Sequence, residues 1–179
     1  MSRQIIPFPL PVYLATYFGN KLTAEPRRLR SGTYDDPFLV TSKSEFGHYL
    51  LKQLRPANKP YQHSHSKASP FFISVSNYAG NNDPEIIVVH RHFISLNSQA
   101  IASIESKFKA VFKSHLLLYV RGAESEGLTA SENARVRTRA IRNFCEENHV
   151  IYTDKNLVAW KKMCQRNKYN SKPLIYGLL

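Results

Sequence analysis

Between residues 98 and 120, Ile101, Ile104, Phe108, Val111, Phe112, Leu116 and Tyr119 recur at spacings of three and four. An amphipathic helix satisfies that pattern, because a period of 3.6 residues gathers those side chains on one face. Asn97 or Ser98 supplies an oxygen to cap its first turn. Lys107, Lys109 and Lys113 fall off the stripe. The fold has to be built around this long central helix.

The segments before it read as smaller pieces. Leu10, Tyr13, Leu14, Tyr17, Phe18 and Leu22 predict a helix over 10–22, with Pro9 and Pro11 at its start, where a missing N–H does little harm. Residues 25–37 hold proline, glycine and clustered polar residues and read as a loop. Phe38 to Val40 reads as a short extended segment. A second helix, capped by Ser42 or Ser44, runs to about Arg55. Pro56 to Pro70 reads as an exposed loop. Phe71–Ser76 and Glu85–Ser95 are rich in β-branched and aromatic residues and read as strands, most simply paired as a hairpin, with 38–40 as a third strand.

After the long helix, Gly122 to Gly127 reads as a linker. Thr129-Ala-Ser-Glu132 has the spacing of a capping box, so a helix starts there and runs to about Asn148. A turn over 149–152 precedes Thr153 and Asp154, which cap a last helix to about Lys168. The tail from Asn170 ends in apolar residues and is expected to dock on the body. The predicted fold is α+β and mostly helical. A small antiparallel hairpin or sheet is packed by the long central helix, and a basic helical pair stands at the C-terminus. The predicted domains are an α+β core with a basic N-terminal arm over 1–122, and the helical pair with its docked tail over 128–179.

Charge sets the expected partner. The 179 residues hold 25 Lys/Arg against 13 Asp/Glu, a net charge of +12. Such a surface attracts polyanions. The excess sits at the two ends: nine basic residues against four acids over 1–60, and ten against four over 127–179. The middle, six against five, reads as core. Cys145 and Cys164 make no disulfide framework and suit a reducing compartment. No stretch reads as a signal peptide or a membrane span, so the expected compartment is the cytoplasm, or the nucleus in a eukaryote, with no membrane partner.

The arginines of the first C-terminal helix are the leading constellation. Arg135, Arg139 and Arg142 stand at i, i+4 and i+7, which puts three guanidinium groups on one face. Ala134, Thr138, Ile141 and Cys145 are expected to form the buried stripe, with Phe144 at its edge. Lys155, Lys161, Lys162, Arg166 and Lys168 follow on the last helix. The pair has the outline of a helix-turn-helix, though its turn lacks glycine; Lys155, Asn156, Lys162 and Arg166 would then face a groove of nucleic acid. Trp160 is expected to anchor the local core. A second basic cluster, Arg27, Arg28 and Arg30 with Lys21 nearby, suits an arm that follows a phosphate backbone or enters a minor groove.

His90 and His92 lie on one side of a predicted strand, and His63 and His65 in the loop before it. Two histidines at i and i+2 bind a divalent metal when a third ligand joins them. Val88 to Ile94, Val-Val-His-Arg-His-Phe-Ile, resembles the His-hydrophobic-His strand of the rolling-circle and transposase endonucleases. That resemblance implies a metal at His90 and His92 and a tyrosine nucleophile on a later helix, Tyr119 being the first candidate. It covers seven residues, and Arg91 stands where the family carries a hydrophobic residue.

Other chemistry finds no motif: there is no glycine-rich phosphate loop, no paired cysteine spacing for zinc and no nucleophile elbow. Asp35 and Asp36 belong to a turn. The expected function is therefore non-catalytic nucleic-acid binding, DNA ahead of RNA, without a cofactor. Roles in a regulator, a replication accessory or a packaging protein of a phage or mobile element fit it. The alternatives are a scaffold that meets an acidic protein partner or its own copies, and the metal-dependent endonuclease.

Overall fold

The computed structural model describes residues 3–22, 38–40, 45–59, 69–76, 93–124 and 129–167. Among them the order is β1 (Arg3–Leu10), α1 (Val12–Leu22), β2 (Phe38–Val40), α2 (Glu45–Gln53), β3 (Arg55–Ala57), β4 (Ser69–Ser76), β5 (Phe93–Ser95), α3 (Ser98–Ala123), α4 (Ala130–Glu147) and α5 (Asp154–Asn167). The fold is α+β and mostly helical, with a two-stranded antiparallel sheet against the long central helix α3.

The strands pair differently from the expected hairpin. β4 lies between β1, antiparallel to it, and β2, parallel to it. The described end of the other expected strand, β5, pairs antiparallel with β3, inside what reads as a loop. β1 itself was hidden by its prolines, which read as the start of a helix. In the register, Pro7 faces Phe72 and Pro9 faces Pro70. These pairs share one phase of the ladder, and proline fits a strand in the phase whose N–H groups point away from the partner. The helix then starts after Pro11, whose carbonyl accepts from the N–H groups of Leu14 and Ala15 at 2.9 and 3.0 Å.

Of the expected stripe, α3 buries Ile104, Phe108, Phe112 and Leu116 and leaves Ile101, Val111 and Tyr119 half-buried; Ala100, Leu117 and Val120 are buried beside them, and Asn97 caps the helix by accepting from the Ala100 N–H at 2.7 Å. Aromatic rings bind its neighbours to it. Phe18 of α1 stacks on Phe108 with centroids 4.1 Å apart, and Tyr17 meets Phe112 edge-on at 5.2 Å. Trp160 of α5 packs against Tyr13 and Phe112 at 5.3 and 5.1 Å, the anchoring role its sequence position suggests. The buried residues of both sheets and all five helices form one hydrophobic cluster.

α1 is also pinned to the α4–α5 turn. Thr16, 2 % exposed, accepts from the Ile151 N–H at 3.1 Å, and Asn20 donates to the Asn148 carbonyl at 3.1 Å. At the end of α4, the N–H of Val150 reaches the Cys145 carbonyl and that of His149 the Glu146 carbonyl, at 2.7 and 3.1 Å. His149 takes a φ of 50° to permit this C-cap, a role glycine fills more easily. No helix among the described residues is long and apolar enough to cross a membrane.

Candidate nucleic-acid interface

α4 starts at the expected capping box. Thr129 Oγ1 accepts from the Glu132 N–H, while the Glu132 carboxylate accepts from the Thr129 N–H at 2.9 Å. The hydroxyl and backbone donors of Thr129 hold the Glu132 carboxyl below its usual pKa. The helix runs to Glu147 and buries Asn133, Arg137, Ala140, Ile141, Phe144 and Cys145. The buried stripe is thus rotated from the expected one: Ala134 is exposed and Thr138 half-buried, while Arg137 turns inward. The physical reason is the charge partner that Arg137 finds. Its Nε donates to Glu124 Oε1 at 2.8 Å, and a terminal guanidinium nitrogen lies 2.6 Å from the same oxygen. Glu124 caps the end of α3, so the pair bridges the two helices.

The remaining arginines face outward. Arg135, Arg139 and Arg142 are all exposed, within a sector of about 60° on the helix. Among the described residues none of the three is held in a salt bridge. An open groove of about 520 Å³ follows them, lined by Ala134, Arg135, Thr138, Arg139, Arg142, Asn143 and Glu146 of α4 and by Lys161 of α5. Three guanidiniums and one ammonium meet a single carboxylate there, so the groove is strongly positive.

On α5, Leu157, Trp160 and Cys164 point into the core. Lys155, Lys162 and Arg166 are exposed on the opposite face, and Lys161 is the lysine brought to the arginine row. Asn156 is tied to the helix start: its Oδ1 accepts from the Thr153 N–H at 3.0 Å and from the Thr153 hydroxyl at 2.9 Å. That leaves its carbonyl occupied rather than turned to a ligand. Two lysines of α3 have local work. Lys107 sits 3.5 Å over the Tyr49 ring, and Lys109 pairs with Glu105.

A second hollow, of about 360 Å³, lies on the other side of Arg139 and Asn143. Tyr119, Gly122 and Ala123 of α3 and Val136 and Ala140 of α4 complete its lining. Tyr119 is fixed by an edge contact to Phe144 at 5.5 Å and by donation of its hydroxyl to Glu147. That hydrogen bond raises the Tyr119 pKa. The spacing of the arginines did not point to Tyr119, Gly122 or Asn143; Asn143 stands one turn from Arg139, and the α3 residues come near only through folding.

Arg27, Arg28, Arg30, His63, His65, His90, His92 and Lys168 lie outside the described residues. Among those described, no three His, Cys, Asp or Glu side chains gather as metal ligands. Comparison with protein-family models, curated proteins and solved structures finds no match to the chain.

Proposed function

We propose that this chain binds nucleic acid without catalysing a reaction on it, DNA being the first expectation, and that the outward face of α4 holds the phosphates. The observation that carries the reading is the division of the α4 arginines. Arg137 is buried against the Glu124 carboxylate, whereas Arg135, Arg139 and Arg142 stand in solvent along an open groove with Lys161. Like charges at i and i+4 weaken a helix by a few tenths of a kcal/mol per pair, roughly. A phosphate backbone turns that repulsion into favourable counterion release. The row rises about 10 Å along the helix axis. Duplex DNA carries about one charge per 1.7 Å of its axis, so several phosphates meet the row together.

Two further features agree. Burial pushes the Cys145 thiol up to about 12 and the Cys164 thiol to about 11, so neither serves as a nucleophile near neutral pH. Both are free, which suits the cytoplasm or, in a eukaryote, the nucleus. The arm at Arg27, Arg28 and Arg30 is part of the proposal as an additional backbone contact.

The test is fluorescence anisotropy with labelled duplex DNA, single-stranded DNA and RNA at low salt. The wild type is compared with an Arg135/Arg139/Arg142 triple-alanine variant. Loss of at least about tenfold in affinity is expected from removing three phosphate contacts. Absence of binding to all three probes by the wild type would end the reading and direct attention to acidic protein partners.

A further inference from the structure

We propose that the hollow on the α3 side of Arg139 receives an unstacked base, so that the chain prefers single-stranded nucleic acid to duplex. This rests on the nucleic-acid reading of the arginine row and names the form of ligand that row serves.

Arg139 and Asn143 line both the basic groove and the hollow. A phosphate held at Arg139 therefore leaves its own base within reach of the hollow. The floor suits a flat ring: Gly122, Ala123, Val136 and Ala140 offer small or apolar surface. Tyr119 supplies an aromatic wall whose position is set before any ligand arrives, by Phe144 on one side and Glu147 at its hydroxyl. Stacking on such a wall tolerates any base, because every base has a π-face. The Asn143 carboxamide carries both a donor and an acceptor, the combination a base edge requires. A duplex keeps its bases paired and stacked, out of reach of a hollow beside a backbone-binding helix. Only a strand free to splay a base can use both surfaces together.

The chain offers a clean way to close the hollow. A Cβ built on Gly122 meets no atom within 4 Å, so a side chain can start there without a clash, and Gly122→Leu is the variant chosen to fill the hollow. Leucine also favours helix over glycine, so a weaker complex cannot be blamed on a weaker fold. The experiment measures affinity of the full chain for a single-stranded DNA, the matching RNA, the same DNA strand with abasic residues, and the duplex. Gly122→Leu, Tyr119→Leu and Tyr119→Phe are run beside the wild type, with thermal midpoints to check folding.

We expect the wild type to bind one of the intact single strands about tenfold more tightly than the abasic strand or the duplex. Gly122→Leu and Tyr119→Leu should remove most of that difference, and Tyr119→Phe, which keeps the ring, should retain it. Equal affinity for intact and abasic strands in the wild type would overturn the inference. So would a preference that survives both Gly122→Leu and Tyr119→Leu. Binding that the triple-arginine variant loses but Gly122→Leu leaves untouched would remove this inference and spare the arginine row. No binding to any probe would remove both.

Discussion

Arg137 and Arg139 stand two residues apart on α4, one 8 % exposed and paired with Glu124, the other exposed beside two hollows. The first contributes to stability; the second belongs to the proposed binding face. Removing one member of a buried pair leaves the other charge uncompensated, so Arg137→Ala should destabilise the protein by about 3 kcal/mol. Arg139→Ala should move stability by no more than about 0.5 kcal/mol, as expected for an exposed side chain. Urea unfolding of the two variants checks this. Equal losses would mean that Arg139 has a structural role. The i, i+4, i+7 spacing made the outward row legible in the sequence, because periodicity alone fixes which side chains share a face. It did not reveal Arg137 as a core residue. An arginine on the apolar side looks like an error until its carboxylate is found, and Glu124 lies on another helix end.

At the scale of the element, helix starts were the easiest feature to read. The caps at Asn97, Thr129 and Thr153 act within three residues, and the chain spells them out locally. β1 was not legible for the opposite reason. Its prolines fit a strand only in a register with β4, and their partners there lie more than sixty positions away. The α4 C-cap shows a local compromise. His149 holds a φ of 50°, a conformation that strains an L side chain. His149→Gly should therefore stabilise the protein by roughly 0.5 kcal/mol, the relief of strain exceeding the added freedom of the unfolded chain. A rise in the urea midpoint would agree; a fall would show that the imidazole makes a contact worth more than the strain.

For the molecule as a whole, the described helices are joined through aromatic rings, and one titratable group is built into the join. The hydroxyl of Tyr17 on α1 and Nδ1 of His115 on α3 are 2.5 Å apart. Burial pushes the Tyr17 pKa up to about 12, so the phenol is protonated. Burial, aided by the Lys21 charge, lowers the His115 pKa below its ordinary 6.5. The folded protein thus takes up a proton there less readily than the unfolded chain. Stability should be full above pH 6.5 and decline as pH falls through that value toward the lowered one. His115→Gln, which can still accept from Tyr17, should flatten this part of the profile. A pH dependence near 6 that is unchanged in that variant would assign it to another group.

The sequence makes only part of the candidate site legible. The sequence displays the row of Arg135, Arg139 and Arg142, yet the groove and the hollow exist only because α5 brings Lys161 to one side of it and α3 brings Tyr119 and Gly122 to the other. We propose that this row grips a phosphate backbone. The most direct measurement is the slope of log affinity against log salt, taken for the wild type and for the Arg135/Arg139/Arg142 triple-alanine variant on the same oligonucleotide. The expected result is a steep negative slope in the wild type, shallower by about two to three in the variant as those ion contacts vanish. Equal slopes in the two proteins would contradict it and place the phosphate contacts elsewhere on the chain.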